Sequence, residues 1–265
     1  MRDATLVHTA SSTRSNRSSY ITLMLVMVLL GGLYTAFAAP QSKAEDTPLA
    51  QQSLAIKEGA ALFATGCSTC HGLNLQGGAG GPSLIGSGGA AVVFQVGSGR
   101  MPLVAGQVQA GRKKVKYTQS EIEQMAAYVQ ANGGGPEVPK GNLTDGDLAL
   151  GGDLFRTNCA SCHSAGGVGG ALTYGKYAPK LQPATPEVIY AAMQSGPESM
   201  PRFSINQLND NQKRAITNYV YDTTHTAQPG GAALGKYGPV PEGLVVWLVG
   251  IGALVVMTLW IGARA

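Results

Sequence analysis

The chain has 265 residues, a length that suits one large domain or two small ones with accessory segments. Charged residues make up 13% of it, against roughly 25% in an ordinary soluble domain, and the formal net charge is +4. Four basic residues, Arg2, Arg14, Arg17 and Arg264, and one acid, Asp3, flank two long apolar runs. Removing them from totals of 19 and 15 leaves 15 basic against 14 acidic residues in the body, so a nucleic-acid role has no electrostatic support.

The first apolar run, Tyr20 to Ala39, is long enough to cross ~30 Å of hydrocarbon as a helix. Ala36-Phe37-Ala38 ahead of Ala39-Pro40 fits a signal-peptidase site, while the long basic, Ser-rich lead-in fits a retained anchor. Residues 1–39 are therefore either a signal peptide or an N-terminal anchor.

Residues 50–134 read as a first domain. A short helix with Leu54, Ala55, Leu62 and Phe63 at helical spacing leads into Cys67-Ser68-Thr69-Cys70-His71. Long Gly-rich loops follow, holding Pro82 and then Met101-Pro102. The basic run Arg112, Lys113, Lys114 and Lys116 fits a solvated face, or a docking site for an acidic partner. A closing helix starts at Thr118, with Glu121 in capping-box spacing, and continues through Ile122, Met125, Tyr128 and Val129. From Asn132 the chain turns Gly/Pro-rich, and residues 135–146 read as a linker.

Residues 147–228 repeat that order. Gly59, Leu62, Phe63, Cys67, Cys70 and His71 recur 92 positions later as Gly151, Leu154, Phe155, Cys159, Cys162 and His163. Met200-Pro201 answers Met101-Pro102, Pro179 answers Pro82, and Asn209 with Gln212 opens a second closing helix through Ile216, Tyr219 and Val220. His225 lies beyond that helix. The last apolar run, residues 244–262 with Trp247 and Trp260 near its edges, reads as a transmembrane helix. Lys and Arg favour the cytoplasmic side, which places everything from about Pro40 to Gly243 outside.

Cys67-Cys70-His71 and Cys159-Cys162-His163 are both C-x-x-C-H, the attachment sequence of c-type haem. Two sulfurs one helical turn apart can bind one porphyrin edge, and the next imidazole can then reach the iron. A disulfide is a strained alternative for C-x-x-C partners, a four-cysteine zinc site leaves both histidines unexplained, and a thioredoxin motif lacks its βαβ context. The reading is two covalent haem c groups, on Cys67 and Cys70 and on Cys159 and Cys162, with His71 and His163 as proximal ligands. Of eight methionines, Met101 and Met200 stand in loops ahead of the closing helices, and these are the expected sixth ligands. Met125 and Met193 sit at helical spacing and read as core. Carbonyls of Pro82 and Pro179 are candidates to accept the other imidazole N–H. The fold class is mainly α: two tandem class I cytochrome c domains, a C-terminal transmembrane helix and an N-terminal signal or anchor helix.

The segments CSTCHGLNLQG, GPSLIG, FQVGSGRMP, AYVQANGGGP, GGDLFRTNCASCH, GKYAPKL, the MPRFS around Met200 and the ending WIGARA resemble the dihaem cytochrome c subunit (cytochrome cc) of actinobacterial cytochrome bc1 complexes. The resemblance implies assembly with a cytochrome b subunit and a Rieske iron–sulfur subunit. It also implies transfer of electrons to the copper site of an aa3-type oxidase at the plasma membrane. The chain would then be the electron-transfer subunit of a translocating quinol–cytochrome c reductase, with no substrate site of its own. A haem enzyme with one open iron is the alternative class, and a methionine for each haem speaks against it.

Overall fold

The computed structural model describes residues 17–37, 47–104, 106–226, 234–237 and 239–264. Helix α1 (Arg17–Phe37) belongs to a first compact unit, residues 1–51; the second unit begins at Gln52. The motif Ala36 to Pro40, on which cleavage or retention turns, lies mostly outside the described residues. Helix α10 (Pro239–Gly262) ends the chain. Both α1 and α10 contain stretches long and apolar enough to cross a membrane, with none of their residues buried.

Between them two sets of four helices follow in the same order. The first is α2 (Pro48–Gly66), α3 (Ser68–His71), α4 (Gly88–Gly97) and α5 (Gln119–Gly133); the second is α6 (Leu148–Asn158), α7 (Ala160–His163), α8 (Pro186–Ser195) and α9 (Asp210–His225). One short antiparallel pair, β1 (Gly170–Ala171) with β2 (Tyr177–Ala178), lies in the second set.

In each set the first long helix crosses the last at a glycine. An added Cβ at Gly59 would lie 2.0 Å from the Gln124 carbonyl oxygen, and at Gly151 2.0 Å from that of Ala215. Only glycine permits that approach, and one turn further on an aromatic pair seals each crossing. Phe63 packs on Tyr128 with ring centroids 5.2 Å apart, and Phe155 on Tyr219 at 5.5 Å. Both closing helices start in the capping boxes expected from sequence, Thr118 with Glu121 and Asn209 with Gln212.

Three expectations need correction. The stretches after the Cys motifs are not loops throughout, because α4 and α8 interrupt them. Of the residues expected on the packed face of the first helix, Phe63 is buried but Leu54 is 49% exposed. The linker is also fastened rather than free: Arg214 of α9 donates to the carbonyls of Lys140, at 2.9 Å, and Asn142, while Leu143 is buried in the core.

α4 packs against α8, and that contact joins the two sets into one hydrophobic core running from Val93 and Phe94 to Ile189 and Met193. Replacing Gly151 by alanine should lower unfolding free energy by about 1–3 kcal/mol, because the Ala215 carbonyl has to yield to the new methyl. Guanidinium denaturation of the holoprotein, monitored in the far ultraviolet, reads this directly.

Candidate functional site

Each Cys motif begins where a long helix stops. Cys67 (φ −129°, ψ −32°) and Cys159 (φ −123°, ψ −33°) break the helix, and a single new turn follows. His71 N–H donates to the Cys67 carbonyl at 3.0 Å, and His163 N–H to that of Cys159 at 2.9 Å. One turn therefore carries both sulfurs and the imidazole. None of the four cysteines is in a disulfide; Cys70 and Cys162 are exposed, Cys67 half-buried and Cys159 buried. Burial, with Cys162 adding to it, pushes the Cys159 thiol up to about 11, and burial raises that of Cys67 in the same way. Among the described residues no three His, Cys, Asp or Glu side chains converge on a point where they would share an ion.

The imidazoles are held as the prolines suggested. His71 Nδ1 lies 2.8 Å from the Pro82 carbonyl oxygen, and His163 Nδ1 lies 3.1 Å from that of Pro179. A carbonyl only accepts, so Nδ1 is the donor in both rings and Nε2 keeps its lone pair for a metal. Burial lowers the pKa of His163 and so favours the neutral ring, and the Pro179 bond offsets part of that.

Two glycines that the sequence reading passed over make this possible. Gly77 and Gly169, each six residues after the histidine, donate their N–H to the His71 and His163 carbonyls at 2.7 and 3.0 Å. Their φ values are +81° and +86°. A Cβ would fall 2.8 Å from the carbonyl carbon of Pro82 at Gly77 and 3.0 Å from that of Pro179 at Gly169. The signal was visible as a glycine at matched offset in both repeats.

In the second repeat Cys159, Cys162, His163, Pro179, Met193 and Met200 line one cavity that encloses roughly 1050 Å³ of space, part of it open to solvent. Met200 is half-buried in its loop, its N–H donating to the Pro197 carbonyl at 2.9 Å, and Met193 is buried on α8. Phe155, Leu181 and Ile216 supply apolar wall, while Arg100 presents a buried Nη1 that has no hydrogen-bond partner. Thiols at one edge, an imidazole with a free Nε2, a thioether, apolar walls and an unpaired cation fit a flat apolar macrocycle that carries anionic groups.

In the first repeat Gly80 and Gly81 close on Cys70 Sγ and His71 Cε1, each 3.1 Å from the position of an added Cβ. Met101 is half-buried against the shared core, with its N–H donating to the Gln95 carbonyl at 2.9 Å. His225 is not beyond the last helix but its final residue; it stacks on Tyr221 with centroids 4.3 Å apart, and its Nδ1 is 3.0 Å from the Tyr221 carbonyl oxygen. Arg112 leaves the expected basic face and lines the second cavity, whereas Lys113, Lys114 and Lys116 are exposed.

The family model of the cytochrome c oxidase, cbb3-type, subunit III, matches residues 54–129 and again residues 146–220. The chain is 47% identical over 262 residues, 95% of its own length and 92% of the relative's, to the cytochrome bc1 complex cytochrome c subunit of Mycobacterium tuberculosis (strain ATCC 25618 / H37Rv). It belongs to that family. The subunit of Mycobacterium leprae is 46% identical over 258 residues, covering 94% of this chain and 88% of the relative. That of Corynebacterium diphtheriae is 43% identical over 279 residues, covering 97% and 99%. As a cytochrome bc1 complex cytochrome c family member the chain is an electron-transfer protein with covalently bound haem c.

The glycine geometry gives a controlled test. Gly169→Ala should destabilise the protein by about 1–3 kcal/mol. Gly175→Ala, with the same sign of φ (+71°) but nothing within 4 Å of its Cβ, should cost about 1 kcal/mol. Equal losses in thermal denaturation would show that the proline segment is not what requires the glycine.

Proposed function

We propose that the chain binds two haem c groups and relays electrons from the Rieske iron–sulfur protein of a cytochrome bc1 complex to an aa3-type cytochrome c oxidase. The observation that carries this reading is the duplication of the whole site: thiols on one turn, imidazole on a proline carbonyl, glycine at the sixth position, methionine loop beyond. Cys67 and Cys70 hold the first haem and Cys159 and Cys162 the second. His71 with Met101, and His163 with Met200, are the iron ligands. Haem iron in such a site cycles between ferrous and ferric, and thioether ligation favours the ferrous form and a high potential.

The chain's own residues contribute orientation and environment. The Pro82 and Pro179 carbonyls fix the rings and strengthen them as ligands. Phe155, Leu181 and Ile216 give the second site an apolar wall. The relatives' name places those proteins in the bc1 complex, and for this chain we infer the same neighbours, cytochrome b and the Rieske subunit. The flanking Arg2, Arg14, Arg17 and Arg264 favour the haem domains outside the plasma membrane, with Arg264 and, where α1 is retained, the N-terminal end on the cytoplasmic side.

Acid-acetone-extracted protein should retain two haems per chain in a pyridine haemochrome assay. Met200→His should keep that haem low-spin and lower its midpoint potential, since imidazole stabilises the ferric iron relative to thioether. An unchanged potential would pass the role to Met193 or His225.

The relay itself is tested on the membrane complex washed free of soluble proteins. Quinol-driven oxygen consumption should persist without added cytochrome c. Uptake that appears only after soluble cytochrome c is returned would show that this subunit does not reach the oxidase.

A further inference from the structure

Part of the second cavity's wall comes from the first repeat. Beyond Met101 the chain reaches the second repeat and is fastened there to two residues of the cavity wall. Gln109 Nε2 donates to the Tyr177 carbonyl at 2.8 Å, Tyr177 N–H donates to Gln109 Oε1 at 2.9 Å, and Ala110 N–H donates to Glu198 Oε1 at 3.0 Å. This crossing carries Arg112 to the cavity, and α4 with the turn after it carries Arg100.

Both guanidiniums face an unusual environment. Arg100 is only 3% exposed, and its Cζ stands 4.8 Å from the centroid of the Phe94 ring. Its Nη1 is buried without a hydrogen-bond partner, and among the described residues neither Arg100 nor Arg112 pairs with a carboxylate. Glu198, a carboxylate on the same wall, is engaged by the Ala110 N–H. Glu198 acts on Arg100 only through its field, without an ion pair, so a buried guanidinium whose Nη1 has no partner favours a further negative group in this corner. The haem brings one: apart from its iron it is an apolar disc with two propionates on one edge.

We propose that Arg100 and Arg112, residues of the first repeat, bind the propionates of the haem held by the second. Planar forked donors match carboxylate geometry, and two of them can serve two carboxylates or clamp one. The repeat counterpart of Arg100 is Ser199. The arrangement also places consecutive residues on the two sites, because Met101, the proposed ligand of the first haem, follows Arg100 directly. The inference rests on the haem assignment of the second cavity.

The test uses the purified full-length holoprotein in detergent. Arg112→Gln is the primary variant, since Arg112 is half-buried and distant in sequence from any iron ligand; Arg100→Gln, Arg100→Lys and Arg112→Lys complete the set. Haem content is measured first. With two haems bound, redox-difference infrared spectra on protein grown with carboxylate-labelled haem precursor should show a shifted propionate band in both Gln variants. Potentiometric titration should show one haem's midpoint falling, because a lost cation favours the ferric state. The Lys variants should recover most of the potential and only part of the band position. If Arg100→Gln loads one haem while Arg100→Lys loads two, the requirement for charge is shown more strongly still. Propionate bands and potentials identical to wild type, with two haems bound, would overturn the inference alone. A wild type that carries no haem on Cys159 and Cys162 would instead overturn the assignment beneath it.

Discussion

Helices α4 and α8 have almost no polar face to give to solvent. Six of the ten residues of α4 are buried, and α8 is buried without interruption from Val188 to Met193. A helix apolar on all sides has to be covered on all sides. α5 and α9 cover each from its own repeat, and the remaining side is covered by the partner helix of the other repeat. That pairing turns two domains of some 80 residues, each small for a core of its own, into one core. The crossing that ends at Gln109 and Ala110 follows from it, because α4 sets where the chain leaves the first repeat.

The chemistry was legible in the sequence because it is local. Cys-x-x-Cys-His, the capping boxes and the prolines 11 and 16 residues beyond the histidines each depend on positions close along the chain, and the hydrogen bonds at Pro82 and Pro179 form as that spacing suggested. α4 escaped notice since GGAAVVFQVG opens and closes on glycine and shows no polar face, so it lacks the periodicity that marks an amphipathic helix. Arg112 escaped for the opposite reason. It stands in a run of like charges that reads as a solvated surface, and only the tertiary crossing separates it from Lys113 and Lys114. Leu54 carried the right spacing, yet the crossing at Gly59 leaves it exposed, and Phe63 seals the contact from further along the helix.

Fastening of the linker changes the physical picture of the relay. A free linker of this length would set only an effective concentration, in the millimolar range for a short flexible chain, and transfer between domains would wait on encounters. Here Asp145 is 3.6 Å from Arg214, the Gly146 carbonyl accepts from Asn218 at 2.7 Å, and the Pro136 carbonyl accepts from Ala90 N–H at 3.1 Å. Both ends of the connection are tied to helices that share the core. The separation of the two sites is then a property of packing, fixed by α4 on α8, and no diffusive search remains between them. In the proposed relay, what must still move for electrons to pass lies outside this pair of repeats, at the surfaces where the proposed donor and acceptor dock.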